Sequence, residues 1–433
     1  MNPRFLLTVV MIVCLSSTAR SQFLIDMIDT TQAEGKGLYM MYNSHDHLSI
    51  SGYMQPQFQW GQEKGQKSYN GGDFAPYSDS RFMLRRGRIK LDYAHFTNNG
   101  LPVAQVVFQF DGTERGVFIR DFYGRFFENK FQLFTATTGM FARPFGYEVN
   151  LSSMSRETPE RGRMSQILMK TERDLGFMVS MEPRRKNHPL RFLKFDLGVF
   201  NGEGLTAPNE YDSYKDLISR LSLKPFSLSR NVQVSGGLSL LQGGLVQNNQ
   251  YVFTQGTGKG SAYTFDSSQS NIGAKAPRKY YGADIQTRLK HGWGNTEFRA
   301  EYWGGTQTGR RNNSETPSEL LGPLEPYYIR PFNGAFIYLL QNIVNKKHQL
   351  GVKYDWYDPN TSISGNQVGA QGVVNGQGDV KYSTVTFGYN FYMTENTKIM
   401  LWYDIVRNEH TSLPGYTTDV RDNVFTCRVQ FKF

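Results

Sequence analysis

The chain has 433 residues, a formal net charge of +10 and an aromatic content of 14%. Its mean hydropathy is −0.50, and no apolar run reaches the roughly 18 residues that a membrane-spanning helix needs, which excludes a polytopic helical membrane protein. The abundant aromatic residues and a hydrophobic content of 39% also exclude a disordered chain. The 43 glycines favour an all-β protein with many turns.

The first 21 residues have the pattern of a secretory signal peptide. Arg4 precedes an apolar stretch, 5–15, and small and polar residues follow through Ser21. Since this stretch is too short to span a bilayer, we predict a signal peptide, 1–21, followed by a short periplasmic segment, 22–47. The sequence leaves open whether that segment plugs the interior of the protein or is a frayed leader.

The rest of the chain alternates apolar and polar residues with a period of two, as a strand with two unlike faces does. From Leu48 to Trp60 every even position is apolar or glycine, while the odd positions carry Ser, Tyr and Gln. From Phe425 to Phe433 the odd positions are again apolar, and the even positions carry Thr, Arg, Gln and Lys. Both segments therefore predict strands with one apolar and one polar face.

Fourteen segments between these two carry a similar strand pattern. They lie at 82–95, 102–111, 117–127, 131–139, 174–182, 192–200, 215–225, 231–241, 279–290, 294–304, 331–342, 347–357, 381–392 and 396–407. The total number of predicted strands is sixteen, an even number, as a closed antiparallel bacterial barrel requires. The links between these strands alternate between short ones and long ones that are rich in Gly, Asn and Ser. We therefore predict an all-β, transmembrane antiparallel β-barrel of about 16 strands over 48–433, with short periplasmic turns and long extracellular loops.

Pairs of neighbouring aromatic residues lie where predicted strands would cross the membrane boundary. They include Tyr280 and Tyr281, Tyr302 and Trp303, Trp356 and Tyr357, and Trp402 and Tyr403. Amphipathic rings are typical of the interfacial girdles of membrane barrels. Cross-strand pairing in a soluble sandwich would explain any single pair equally well.

Basic residues on the polar faces are candidates for the lining of a channel. Arg86, Arg88 and Lys90 share one face of a strand, and at the bilayer midplane each would cost about 2–4 kcal/mol if it faced lipid. By the same alternation Arg220, Lys224, Arg288 and Arg299 lie on polar faces. Their alternative role is structural, because acidic residues on the polar faces of other strands could pair with them.

Motifs along the chain resemble those of the phosphate-selective porin O and P family, in the form common in Bacteroidetes-type bacteria. They are FMLRRGRIKL (82–91), IRDFYGRF (119–126), GMFARPFGYE (139–148), DLGFMVS (174–180), GVFNGEG (198–204), DLISRLSLKPF (216–226), AEYWGG (300–305) and the terminal Phe433. The resemblance implies an outer-membrane channel, usually a homotrimer, in which basic residues guide anions. The terminal aromatic resembles the signal read by the barrel-assembly machinery, which is implied as a partner during insertion.

The long connection 140–173 is the segment that this resemblance implies as a constriction folded into the barrel. It carries Arg143, Arg156, Arg161 and Arg163, which we list with the basic residues above as pore-lining and anion-binding candidates. The alternative is a solvated outer loop, since glutamates nearly balance these arginines.

These patterns predict an outer-membrane porin for passive diffusion of small anions, with phosphate as one candidate solute. A second hypothesis is a non-conducting adhesin or assembly component that binds a partner through its long loops. We predict no enzyme, since the seven histidines have no evident serine partner and no GxSxG motif occurs. No metal site or cofactor is predicted, since His45 and His47 are typical of a solvated turn, and dispersed basic residues argue against nucleic acid.

Overall fold

The computed structural model of the protein describes residues 47–205 and 210–433. The predicted signal peptide, 1–21, and the predicted periplasmic segment apart from His47 lie outside the described residues. Strands dominate the described part of the chain, and its one α-helix, α1 (Arg163–Leu168), has six residues. No helix in this part is long and apolar enough to cross a membrane.

Eighteen strands form one sheet in the described residues. They are β1 (Leu48–Gly61), β2 (Ser80–Phe96), β3 (Pro102–Thr113), β4 (Gly116–Phe127), β5 (Phe134–Ala142), β6 (Arg173–Met181), β7 (Leu193–Phe200), β8 (Asp216–Ser227), β9 (Val232–Val246), β10 (Val252–Gln255), β11 (Tyr263–Asp266), β12 (Lys275–His291), β13 (Gly294–Gly309), β14 (Tyr327–Ile343), β15 (Asn345–Asp358), β16 (Tyr382–Tyr392), β17 (Thr397–Asn408) and β18 (Val424–Lys432).

Sixteen of these strands close into an antiparallel barrel. The first and last strands pair with each other, with Tyr53 opposite Lys432 and Gly61 opposite Val424. Strands β9 and β12 are also direct neighbours. The two short strands between them, β10 and β11, form a hairpin that lies against the start of β14. The prediction of a 16-stranded barrel is therefore confirmed.

Four of the barrel strands extend four or five residues beyond their predicted ends, and one of them, β13, continues to Gly309 instead of 304. Strand β9 continues to Val246 and β12 begins at Lys275, so the two pair well beyond the predicted ends at 241 and 279. Strand β14 begins at Tyr327, four residues before the predicted start. These extensions contain Gly243, Gly244 and Pro277. Glycine and proline weaken the sequence pattern of a strand, but β9 and β12 still pair through this region.

The two faces of the barrel wall differ in polarity as the alternation predicted. Along β6 the exposed fractions of Leu175, Phe177 and Val179 are 48%, 51% and 39%, while those of Asp174 before them and Ser180 after them are 2% and 3%. Outward apolar side chains recur along the other strands. An outward apolar belt around a closed barrel is the arrangement of proteins that span a bilayer with strands.

The aromatic pairs do not both face outward, which corrects the interfacial interpretation. The exposed fractions of Tyr281 and Tyr302 are 55% and 41%, but those of their neighbours Tyr280 and Trp303 are 1% and 0%. Successive side chains of a strand point to opposite faces, so only one member of each pair can lie in a girdle. The inward members, together with Tyr357, pack inside the barrel.

The connection between β5 and β6 runs through the interior of the barrel. Its residues Phe145, Met164 and Ile167 pack against the inward rings of Trp303 and other wall residues in one apolar cluster. Gly146 adopts a φ of +69°, and a Cβ there would collide with the Glu301 carboxylate and the Trp303 ring. The loop therefore fills part of the lumen by close apolar packing, and we call 143–172 the lumen loop.

Candidate functional site: the barrel lumen

Two large cavities of the described barrel border different parts of the lumen loop. The outer cavity has a volume of about 880 Å³ and is lined by long-loop residues such as Lys64 and Arg421. The inner cavity has a volume of about 570 Å³ and is lined by residues of β2 to β9, such as Lys90 and Lys224, near the short turns. Both volumes exceed the space that a small hydrated ion requires.

Basic side chains outnumber acidic ones in both cavities. Ten basic residues line the outer cavity, against seven acidic ones: Lys64, Lys67, Arg85, Arg86, Arg88, Arg120, Arg161, Arg163, Lys170 and Arg421, against Glu63, Asp73, Asp111, Glu160, Glu172, Glu315 and Asp422. Six line the inner cavity, against three: Lys90, Arg125, Arg173, Lys194, Arg220 and Lys224, against Asp121, Glu182 and Asp196. The lining of each cavity therefore carries a formal excess of three positive charges.

Two β-bulges add arginines to the lumen wall. In β2 both Arg85 and Arg86 lie opposite Gln55, because the register shifts between Met54 and Pro56. In β4 the extra residue is Arg120, where the register shifts at Gln109 of β3. A bulge places one residue more on its strand than on the partner and re-aims side chains. Simple alternation would have sent Arg85 outward, yet its guanidinium contacts Glu160 of the lumen loop at 2.8 Å.

Ion pairs fasten the lumen loop to the wall formed by β13 to β18, β1 and β2. Arg299 of β13 binds Glu157 through two hydrogen bonds of 2.7 and 2.8 Å. Glu160 accepts from Arg85, Arg86 and Arg428 at 2.7 to 2.8 Å. Bidentate and multiple charge-assisted hydrogen bonds hold geometry tightly.

The charge of Glu160 is maintained by its three arginine partners. Burial alone would raise the pKa of the Glu160 carboxyl, but Arg85, Arg86 and Arg428 outweigh this and hold the pKa well below its usual range. The carboxylate therefore stays ionised at neutral pH, so its attachment to the wall persists.

Backbone groups of the lumen loop also bond to wall side chains. The Glu301 carboxylate accepts the backbone N–H groups of Tyr147 and Glu148 at 2.7 and 2.9 Å. Lys398 donates to the carbonyl oxygens of Met154 and Arg156 at 3.2 and 2.7 Å. These contacts come from β13 and β17, so the lumen loop packs against that part of the wall, and the inner cavity lies along β2 to β9.

A chain of ion pairs marks the place where the two cavities approach each other. Arg120, on the outer cavity, contacts Glu172 at 2.9 Å. Glu172 lies 3.5 Å from Arg173, which in turn contacts Asp121 at 2.9 Å; these last two residues line the inner cavity. The four side chains of these ion pairs are exposed by 11 to 17%, so water reaches them. We call Arg120, Asp121, Glu172 and Arg173 the junction.

Seven of the eleven predicted site residues line one of the two cavities. Arg86, Arg88, Arg161 and Arg163 line the outer cavity, and Lys90, Arg220 and Lys224 line the inner one. All seven have acidic partners; for example, Arg88 contacts Asp111 at 2.8 Å and Lys224 contacts Glu182 at 3.1 Å.

The other four predicted residues line neither cavity. Arg143, Arg156, Arg288 and Arg299 are buried, with exposed fractions of 1 to 4%. Arg288 and Arg299 both contact Glu297, at 2.9 and 2.5 Å. A guanidinium with a bound carboxylate and little exposure has a structural role in this geometry.

Nine cavity-lining cations were outside the predicted set, and four of them lie in connections between strands: Lys64, Lys67, Lys170 and Arg421. Arg125 and Lys194 lie on the polar faces of β4 and β7, so counting alternate residues from Asp121 and Asp196 would have found them. Arg173 occupies the first position of β6, at the end of the lumen loop. Arg85 and Arg120 depend on bulges, which a period-two pattern does not reveal.

One group of described residues has the spacing of metal ligands. Carboxylate oxygens of Glu203, Glu210 and Asp212 lie within 4.8 Å of one another in the connection between β7 and β8. Lys215 already pairs with Glu210 at 2.8 Å, and the backbone N–H of Val246 donates to Asp212 at 2.8 Å. The group lines neither cavity.

Solved structures with a similar fold come from outer-membrane proteins. OprB of Pseudomonas putida aligns with a TM-score of 0.57 at 8% identity, over 96% of this chain and 100% of that one. The fold is that of an outer-membrane porin. The outer-membrane channel DcaP of Acinetobacter baumannii aligns with a TM-score of 0.50 at 10% identity, over 89% of this chain and 97% of DcaP.

A third similar structure is described as a trimer. OmpT of Vibrio cholerae, an outer-membrane protein in its trimer form, aligns with a TM-score of 0.50 at 11% identity, over 89% of this chain and 99% of that one. No protein-family model matches the chain, and no curated protein matches it. The porin-like barrel and its outward apolar belt are those of a multi-pass outer-membrane protein of Gram-negative bacteria.

Proposed function

We propose that the protein is an outer-membrane channel through which small anions diffuse passively. The observation that carries this proposal is the excess of basic over acidic side chains in both cavities, ten against seven and six against three. Fixed positive charges lower the barrier for anions and raise it for cations in a narrow aqueous path. The carboxylates among them weaken this preference, so the selectivity is moderate rather than absolute.

The path that we propose follows the β2 to β9 half of the barrel. Solutes enter the outer cavity, pass the junction at Arg120 and Arg173, and leave through the inner cavity beside Lys194 and Lys224. The opposite half is occupied by the lumen loop and its partners Arg299 and Lys398. In this proposal the lumen loop is the constriction.

Phosphate is the first solute to test, because the motif resemblance implies it. Guanidinium groups suit oxyanions, since their planar fork can donate two hydrogen bonds to one anion. We further propose a homotrimer in the outer membrane, which rests on the same resemblance and on the trimeric form of the similar OmpT structure.

The test is the zero-current potential of the purified protein in a planar bilayer under a KCl gradient. We expect a potential that favours chloride over potassium. Addition of inorganic phosphate to one side should then reduce the chloride current. A potential that favours potassium would overturn the anion proposal. Absence of conductance from folded protein would favour the non-conducting adhesin or assembly component instead.

A further inference from the structure

Glu172 differs from the other carboxylates of the lumen loop in its position. It lies at the junction and lines the outer cavity, whereas Arg173 beside it lines the inner one. Its carboxylate contacts Arg120 at 2.9 Å and lies 3.5 Å from both Arg161 and Arg173. Three guanidinium groups therefore surround one carboxylate at the narrow point of the proposed path.

The carboxylate of Glu172 is more exposed than that of Glu160. The side chain of Glu172 is exposed by 15%, and its partners Arg120 and Arg173 by 16 and 17%, whereas the side chain of Glu160 is exposed by 6%. Both carboxylates line the outer cavity, and Glu172 is the more exposed of the two.

Arg120, one of the partners of Glu172, retains a donor for another acceptor. Among the described residues the Nε of Arg120 has no hydrogen-bond partner, and an unpaired buried donor on a cation favours an additional anionic or polar acceptor. Arg173 is already shared between Glu172 and Asp121. An oxyanion that arrived here could take the hydrogen bonds that Glu172 now accepts.

We propose that Glu172 determines the selectivity of the channel by competing with permeating oxyanions for Arg120 and Arg173. In the resting channel its carboxylate offsets part of the positive charge of the two guanidinium groups. A passing phosphate or carboxylate solute takes its place, and Glu172 returns when that solute leaves. Such exchange prevents tight retention, which would slow passage. This inference rests on the proposed anion channel.

The Arg-rich surroundings keep Glu172 charged for this role. Burial alone would raise the pKa of its carboxyl, but Arg120, Arg161 and Arg173 together hold the pKa well below its usual range. Glu172 therefore competes as an anion throughout the neutral range.

The experiment compares Glu172→Gln with a matched variant, Glu315→Gln. Both substitutions remove one negative charge from the outer cavity, but Glu315 pairs with the exposed Lys170 at 2.7 Å rather than with the junction. For Glu172→Gln we expect the chloride-to-potassium permeability ratio to rise about threefold, as loss of one charge beside a narrow aqueous path allows. The inorganic phosphate concentration that halves the chloride current should fall by about the same factor. Glu315→Gln removes a charge from the same cavity but away from the junction, so it should shift both quantities in the same direction by a clearly smaller factor.

Each result decides the inference. Equal shifts of the permeability ratio in the two variants would mean that the total charge of the cavity acts, and this would overturn the inference. Parent-like selectivity in Glu172→Gln would also overturn the role of Glu172. Glu172→Asp, which keeps the charge, should stay close to the parent, and a shift as large as that of Glu172→Gln would contradict a role for the carboxylate charge. If the parent itself prefers potassium, the proposed function fails. A chloride-selective parent with an unresponsive Glu172→Gln removes this inference alone.

Discussion

Arg428 of the last strand donates a hydrogen bond of 2.8 Å to Glu160 of the lumen loop, across 268 positions of the sequence. This contact joins the strand that closes the barrel to the loop that narrows it. Because Arg85 and Arg86 bind the same carboxylate from β2, one glutamate links the loop to both sides of the closure. Attachment of the loop and closure of the barrel are therefore coupled.

Glu160→Gln should release this attachment. Two of the arginines left without a counter-ion are buried, and removal of one partner from a buried ion pair costs about 3–5 kcal/mol. We expect a lower temperature for the shift of the folded band in gel electrophoresis, together with noisier and larger single-channel currents. Glu114→Gln, at an exposed turn between β3 and β4, should leave both unchanged. Parent-like currents from Glu160→Gln would contradict the anchoring role.

Arg299→Gln should affect stability more than selectivity. The substitution leaves Glu157 and Glu297 buried without their shared guanidinium, at a cost of about 3–5 kcal/mol. Thermal unfolding measures the loss, and bilayer recordings of the fraction that folds measure the permeability ratio. Unaltered stability with a changed permeability ratio would show that Arg299 lies on the path of the ions.

Lys194→Glu combined with Lys224→Glu should weaken the preference for anions. The two lysines line the inner cavity, so the double variant changes its balance from an excess of cations to an excess of carboxylates. We expect the chloride-to-potassium permeability ratio to fall about fivefold or more. The control is Lys186→Glu, an exposed residue between β6 and β7 that lines neither cavity. An equal fall in the control would count against the inner cavity as the path.

Asp422 should make the selectivity depend on pH. Burial raises the pKa of its carboxyl to about 6, although Arg163 opposes the shift. Protonation between pH 7.5 and 5 removes a negative charge from the outer cavity, so chloride preference should be higher at pH 5. In Asp422→Asn this pH dependence should shrink, and the higher chloride preference should be present at both pH 5 and pH 7.5. A parent channel whose selectivity is the same at pH 5 and 7.5 would be inconsistent with this assignment.

Asp422 should also make the stability of the folded protein depend on pH. Its folded-state pKa lies above the ordinary value of 3.8, so the folded protein binds the proton more tightly than the unfolded chain does. The stabilisation from Asp422 is full below about pH 4 and is lost as the pH rises through about 6. Asp422→Asn should therefore reduce the loss of thermal stability between these two pH values.

Strand positions followed from the sequence because the wall has two unlike surroundings. Ile50 faces outward with 53% exposure, while Gln55 and Gln59 face the lumen and are fully buried. A period-two pattern records this contrast along each strand. Sixteen strands and their order were predictable for that reason.

The lumen was less predictable because tertiary contacts define it. Alternation places Arg220 and Arg299 equally on the inner face, yet one lines a cavity and the other is buried beneath the lumen loop. The path of that loop depends on distant partners such as Glu301. Bulges at Arg85 and Arg120 also interrupt the period that identified the strands.

The measurement that tests the proposed path most directly compares two cysteine variants in a Cys427→Ser background. Ser222→Cys places a thiol on the inner cavity, whereas Thr426→Cys places one in the filled half, where Thr426 is fully buried and bonded to Gln59. A negatively charged methanethiosulfonate reagent is added during bilayer recording. We predict that the current through Ser222→Cys falls while the current through Thr426→Cys is unchanged. Block of Thr426→Cys with an unaffected Ser222→Cys would contradict the proposed path.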